Sequence, residues 1–247
     1  MTVPSIERLR TRIFADGADT ESLLALAALP YIQGFTTNPT LMRKAGVADY
    51  RGFARDVLDQ ITDRPISFEV FSDEPAEMRV QAIEIASWGP NVYVKIPVTT
   101  TRGEPMTDLV RDLSASGVQV NVTALMTEDQ VETVSGALEG GAPSCVSVFA
   151  GRIADTGRDP LPIMSAALRT LAQVPTAELI WASPREVLNI LQADAIGCHI
   201  ITVTYDLLGK LRLLGKDLDE YSLETVRMFH DDAHRAGYSL QPALPRA

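Results

Sequence analysis

The residue in this chain with the clearest chemical potential is a lysine inside an apolar, strand-like run. Lys95 sits in "VYVKIP", among Val92, Tyr93, Val94, Ile96 and Pro97. Lysine is almost never fully buried without a partner or a task. Glu69 raises the same difficulty late in the preceding run, and Asp16 closes the first run. A buried Lys–Glu pair is a weak stabiliser. The same three residues have the parts for Schiff-base chemistry. Burial favours the neutral, nucleophilic form of an amine, and carboxylates move protons.

Other polar residues stand at the ends of similar runs. Asn38 lies in "TTNPT". Asn121 and Thr123 are two apart in "VNVT" and share a face of a strand. Ser147 and Phe149 are two apart in "VSVFAGR", with Arg152 just beyond, and Ser183 and Arg185 follow the seventh run in "IWASPREV". Most of these have a plain alternative reading. Asp16 also reads as a helix N-cap, Asn38-Pro39 as a turn, and Ser183 before Pro184 as an N-cap. Arg152 also reads as a surface partner of Asp155 or Asp159.

The elements that must position these residues follow from periodicity. Eight strand-sized apolar runs recur: 13–15, 32–35, 66–71, 92–96, 118–122, 146–149, 179–182 and 199–203. Between them lie helix-like segments at 20–29, 50–61, 75–86, 106–114, 128–138, 161–172, 184–192 and 205–214. Asp19 and Ser183 are the expected caps of the first and seventh. Eight strand–helix alternations in 247 residues predict an α/β fold, a (β/α)8 TIM barrel. A doubly wound open sheet is the alternative. The first strand-to-helix turn, "ADGADT", lacks GxGxxG, which argues against a dinucleotide-binding domain. No linker divides the chain, so a single domain is expected over 1–247. The barrel spans about 13–216 and an additional C-terminal helix about 219–236.

Composition narrows the function classes. Hydrophobic residues make up 46% and charged residues 22%, so a disordered chain is excluded. No apolar stretch is long enough to span a membrane, and no apolar segment follows Arg8, Arg10 and Arg12, so no secretory signal is expected. A net charge of −10 disfavours nucleic acid, which needs a basic face, but leaves room for a small anionic substrate. Cys145 and Cys198 lack CxxC spacing and read as buried reduced thiols of a cytoplasmic protein. His230 and His234 are four apart on the last helix without a third ligand, which favours a solvated helix over a metal site.

Taken in order, "IFADGAD", "GFTTNPTL", "FEVFSDEP", "YVKIPVT", "VNVTALMTEDQ" and "VSVFAGRIADTGRDP" form a specific set. With them the chain resembles the transaldolase family, in its small transaldolase and fructose-6-phosphate aldolase-like branch, from about Ile13 to about Lys216. The resemblance implies a (β/α)8 barrel, no metal or organic cofactor, sugar-phosphate substrates and a homo-oligomer. It implies Lys95 as the Schiff-base lysine and Asp16 as the acid/base of carbon–carbon cleavage. Glu69 is implied as the carboxylate acting through a water, with Thr123 positioning that water. Asn38, Asn121 and Ser147 would hold substrate hydroxyls, Phe149 would cover the site, and Arg152 and Ser183 would take phosphate. The chain departs from the family after the seventh run, where Pro184 follows Ser183 and Arg185 stands for the usual basic residue. The aldolase branch carries Tyr where this chain has Phe149, so the resemblance favours transfer over release of dihydroxyacetone. A lyase, and a non-catalytic sugar-phosphate-binding barrel, are the rival readings.

Overall fold

The computed structural model describes residues 6–240; residues 1–5 and 241–247, included in the single-domain expectation, lie outside the described residues. Eight parallel strands close into a barrel in chain order, with the last paired back onto the first. They are β1 (Arg12–Asp16), β2 (Ile32–Thr36), β3 (Ile66–Glu69), β4 (Val92–Pro97), β5 (Val120–Leu125), β6 (Ser144–Val148), β7 (Ala177–Trp181) and β8 (Ile200–Thr204). Closure rules out the open-sheet alternative. The helices are α1 (Thr20–Ala27), α2 (Pro39–Lys44), α3 (Tyr50–Leu58), α4 (Pro75–Ala86), α5 (Thr107–Ala115), α6 (Glu128–Leu138), α7 (Ala150–Asp155), α8 (Leu161–Leu171), α9 (Leu188–Ile196), α10 (Tyr205–Leu208) and α11 (Leu218–Arg235). Among the described residues, no helix is long and apolar enough to cross a membrane.

Local chemistry sets the helix starts. Asp19, not Asp16, caps α1 by accepting from the Ser22 N–H at 2.8 Å. Asp49 caps α3 through the Gly52 N–H, and Thr127 with Gln130 forms a capping box on α6. Parallel strands buried on both faces need apolar side chains on the helix-facing side. Ile13, Ala15, Val94, Ile96, Val122 and Val146 supply them and join the helices in the outer core.

Four local expectations need correction. The third run is a strand only to Glu69: the Val70 N–H makes the last ladder bond, to the Lys95 carbonyl at 3.1 Å, and Gln81 Oε1 then takes the N–H groups of Phe71 and Ser72 away from the sheet. The short helices α2 and α7 sit in strand-to-helix loops that carried no helical periodicity. The stretch 205–214 divides into α10 and a 3₁₀ turn at Gly209–Leu213. The helix expected over 184–192 with Ser183 as its cap instead starts at Leu188. Ser183 adopts φ 62°, outside any helix start, and Asn189 Oδ1 accepts from the N–H groups of Arg185 and Glu186, closing a loop there. The last helix matches its expected span closely. None of its residues is buried, and His230 and His234 share a face with ring centroids 4.3 Å apart.

Inside the barrel a second, smaller apolar cluster forms a floor. Phe14, Cys145, Ile180, Ala182 and Ile200 meet there, with Tyr93 and Phe149 against them. Below it, Arg12 and Glu178 pair at 2.5 Å. Burial pushes the Cys145 thiol up to about 12, which makes it an inert packing residue. Phe14 fits only because its neighbour on β2 is Gly34: a Cβ there would lie 2.5 Å from the ring. Gly34→Ala should therefore lower unfolding stability by about 1–3 kcal/mol. Phe14→Leu in the same background should recover part of that loss. Urea unfolding of both variants checks this, and an undiminished Gly34→Ala midpoint would contradict the account of the floor.

Candidate active site

Two residues beyond the floor on β1, β4, β6 and β8, the inward-facing side chains turn polar, whereas on β7 Ile180 is followed by Ala182. This is one step of strand alternation: Phe14 precedes Asp16, Tyr93 precedes Lys95 and Cys145 precedes Ser147. The parallel register then aligns the chemistry across neighbouring strands. Glu69 on β3 lies beside Lys95 on β4, and Lys95 beside Asn121 on β5. Asp16 on β1 lies beside Thr36 on β2 and Thr204 on β8. These strand ends form the carboxyl face of the barrel, where enzymes of this fold place their sites.

Lys95 is 5% exposed. Its Nζ lies 3.1 Å from Glu69 Oε2 and donates to the Thr37 carbonyl at 2.8 Å. Asp16 lies nearby. Its carboxyl is pushed above the ordinary value, chiefly because burial strips its water. The charge of Lys95 and hydrogen bonds from Thr36 and Asn38 act in the opposite direction but are smaller. Thr36 Oγ1 donates to Asp16 Oδ1 at 2.8 Å and meets Thr202 Oγ1 at 2.5 Å. With the Thr36 proton committed to Asp16, Thr202 is the donor in that second contact. Asn38 serves two roles at once. Its Oδ1 caps α2 through the Leu41 N–H, and its Nδ2 faces both oxygens of Asp16 at 3.4 Å.

On the far wall a buried chain of amide and hydroxyls runs between three strands. Ser147 Oγ donates to Asn121 Oδ1 at 2.7 Å, and Asn121 Nδ2 donates to Ser67 Oγ at 3.0 Å. Thr123 Oγ1 is buried and has no hydrogen-bond partner among the described residues. Beside it, a bulge in β5 puts Ala124 at φ 67°. Phe149 packs at the edge of the inner cluster.

The residues expected at the phosphate end separate into two groups. The exposed Arg152 stacks over Phe149, its guanidinium carbon 5.7 Å from the ring centre. Among the described residues it makes no ion pair, so the suggested pairing with Asp155 or Asp159 is absent. Asp155 is taken by Arg185, whose Nη1 also donates to Ser183 Oγ at 2.9 Å and to the Ser183 carbonyl at 3.1 Å. Arg185 therefore folds back along the loop before α9 and is not in a helical turn. The Ser183 carbonyl presses against Gly151, where a Cβ would lie 1.6 Å from its oxygen.

Sequence reading missed Ser67, Thr36, Thr202 and Tyr50. Ser67 was within reach, because it stands two residues before Glu69 on the same strand face. Thr36 stood inside the quoted "TTNPT" segment. Thr202 sits in a β-branched run where threonine is unremarkable. Tyr50 lies on a helix, and nothing in its spacing marked it.

A closed (β/α)8 barrel with a buried amine, two carboxylates and a hydroxyl-lined wall at its carboxyl face defines the class: a barrel enzyme. The family model for transaldolase/fructose-6-phosphate aldolase matches residues 13–241, and the chain belongs to that family. A "Probable transaldolase" of Dehalococcoides mccartyi is 36% identical over 201 residues, covering 81% of this chain and 89% of that protein. A "Probable transaldolase" of a Thermoanaerobacter strain is 33% identical over 230 residues, covering 93% of this chain and 100% of its own length. The chain is thus a transaldolase-type enzyme. The N-acetylmannosamine-6-phosphate 2-epimerase of Clostridium perfringens shares the fold at a TM-score of 0.53 and 12% identity, covering 82% of this chain and 90% of that one.

The Asp16 environment predicts a trade between stability and activity. An acid whose folded-state value is raised is favoured by folding as the proton-bound form, so its ionised form at neutral pH is a cost. Asp16→Asn should raise Tm at pH 7. The gain should shrink as pH falls through the raised value of Asp16 and vanish below the ordinary carboxylate range. Thermal unfolding from pH 3 to 8 checks this, and a gain independent of pH would contradict it.

Proposed function

We propose that this chain transfers a dihydroxyacetone unit from a ketose phosphate, such as fructose 6-phosphate or sedoheptulose 7-phosphate, to an aldehyde phosphate through a Schiff base on Lys95. The observation that carries the reading is the buried Lys95 Nζ held 3.1 Å from Glu69, with Asp16 close enough to feel the Lys95 charge. Lys95 adds to the C2 carbonyl to give a carbinolamine. Glu69 moves protons through a water held by Thr123, whose buried Oγ1 has no protein partner among the described residues. Water leaves and the iminium forms. Asp16 removes the C4 hydroxyl proton, and its raised affinity for protons suits a general base that must later return one. The C3–C4 bond breaks, its electrons move into the iminium, and an aldehyde departs. The enamine that remains adds to the second aldehyde, and the steps reverse to free Lys95.

Asn38, Asn121 and Ser147 hold the hydroxyls of the three-carbon unit. Phe149 can neither donate nor accept a hydrogen bond at the enamine. Protonation and release of dihydroxyacetone are therefore slow, and transfer wins over the lyase reaction. Arg152 is the phosphate anchor. Its guanidinium is free of carboxylate partners among the described residues, whereas the charge of Arg185 is already matched by Asp155. Ser183 is a secondary contact. No step draws on a metal or an organic cofactor.

Borohydride added with fructose 6-phosphate should leave a covalent adduct on the wild-type chain. Lys95→Ala should show none, while kcat falls by at least about a thousandfold and the barrel stays folded. An adduct on Lys95→Ala would overturn the Schiff-base assignment.

Arg152→Ala should lower kcat/KM for fructose 6-phosphate by about ten- to a hundred-fold, the worth of a charge-assisted hydrogen bond to phosphate. Fructose should be nearly unaffected. Equal losses on both substrates would assign Arg152 a structural role.

A further inference from the structure

The parallel ladder between β2 and β3 is short: Phe35 pairs with Ile66 and Thr36 with Ser67. One further rung is made, from the Thr37 N–H to the Ser67 carbonyl at 3.1 Å. By the spacing of a parallel ladder, the next rung would run from the Glu69 N–H to the Thr37 carbonyl. That rung is missing. The Thr37 carbonyl accepts from Lys95 Nζ at 2.8 Å, and the Glu69 N–H is donated elsewhere, to the hydroxyl of Tyr50 at 2.8 Å. The same hydroxyl donates to the Glu69 carbonyl at 2.9 Å. Tyr50 thus closes both backbone groups of the residue whose side chain faces Lys95.

Backbone groups in a buried site are almost always paired. Without the Tyr50 hydroxyl, the Glu69 N–H would have the Thr37 carbonyl as its nearest ladder acceptor, and the strands would compete with Lys95 for it. We propose that Tyr50 is a positioning residue: its hydroxyl holds the β2–β3 ladder open at Glu69, so that the Thr37 carbonyl is free to orient the Lys95 amine. The inference rests on the Schiff-base reading above and adds to it a residue that touches neither substrate nor Lys95.

Tyr50 is well placed for this task. It is the first residue of α3, directly after the Asp49 cap. Its ring stands edge-on to Trp88 at 5.5 Å, to Phe71 at 5.8 Å and to Phe68 at 6.2 Å. Phe68 is the neighbour of Glu69 on the outer face of β3, so ring and hydroxyl grip the same strand end from one side. Burial and the nearby Glu69 hold the phenol well above its ordinary value, so it remains a proton-bearing donor throughout the working range.

Tyr50→Phe keeps the ring and removes the hydroxyl alone. At saturating fructose 6-phosphate, kcat and the rate of borohydride trapping should both fall about ten- to a hundred-fold, the scale of a slightly misplaced reacting group. KM should stay within about twofold, because no substrate contact is lost. Phe53→Leu, which loosens the same aromatic cluster through Phe68 without touching the hydroxyl, is the packing control. It should lower Tm while leaving kcat and trapping of the folded enzyme unchanged. Wild-type kcat and trapping in Tyr50→Phe would overturn the proposal, as would a loss in Phe53→Leu of the same size and kind. Lys95→Ala run alongside separates the two readings. If it still forms the adduct, the Schiff-base assignment fails. If it does not and Tyr50→Phe reacts normally, only the role of Tyr50 fails.

Discussion

A single ammonium-bearing side chain inside a barrel constrains much of this molecule. Taking Lys95 out of water is expensive unless its charge and its donors are met. Glu69 meets the charge and the Thr37 carbonyl takes a donor. Each of those partners imposes a further demand. Glu69 must sit level with Lys95 in the sheet, which the β3–β4 register provides. The Thr37 carbonyl must be released from the ladder, which leaves a backbone N–H for Tyr50. The polar layer then needs a dry floor to exclude water from below. Phe14, Cys145, Ile180 and Ile200 form it, at the expense of a side chain at residue 34.

The barrel was legible because its signal is repeated. Eight β-branched runs, each with a helical stretch after it, allow few other architectures, and an error in any one run leaves the count intact. Lys95, Glu69 and Asp16 were legible because charged residues in apolar strands violate the expected pattern. The failures were local and have a common cause. The path after Ser183 is set by Asn189 capturing two backbone N–H groups and by the contact with Gly151, neither of which leaves a periodic trace. The exit of β3 after Glu69 depends on Gln81, ten residues further along than Phe71. Tyr50 was invisible for the same reason: its role comes from a gap in a ladder, and a gap has no composition.

Charge at the mouth follows a similar economy. The chain carries −10 overall, so an anionic substrate is not drawn in by the protein as a whole. For the sugar phosphates proposed above, recognition is then a local matter. Of the two arginines near the ends of β6 and β7, Arg185 is committed to Asp155 and to the backbone of Ser183, while Arg152 lies on an aromatic face. An arginine stacked on a ring keeps its planar edge turned outward with its donors aligned, which suits a tetrahedral oxyanion better than a freely rotating chain would. On the function proposed above, Arg185 then supports the phosphate end and Arg152 contacts it.

The contact between Ser183 and Gly151 also bears on how this chain can change by mutation. Residue 151 has no room for a methyl group as long as the Ser183 carbonyl stays where it is. Residue 183 is held in a left-handed conformation that few side chains tolerate. The dependence runs one way: a side chain at 151 is admissible only after the backbone at 183 has moved, whereas 183 itself accepts residues that tolerate a left-handed φ, such as Gly or Asn. Arg185 hangs from that backbone and ties it to Asp155, so a change at 185 also removes a brace from the loop. The loop path at this end of the barrel is thus fixed by one backbone contact, and a glycine far back in the chain, at 151, sets where residues 183–185 can run.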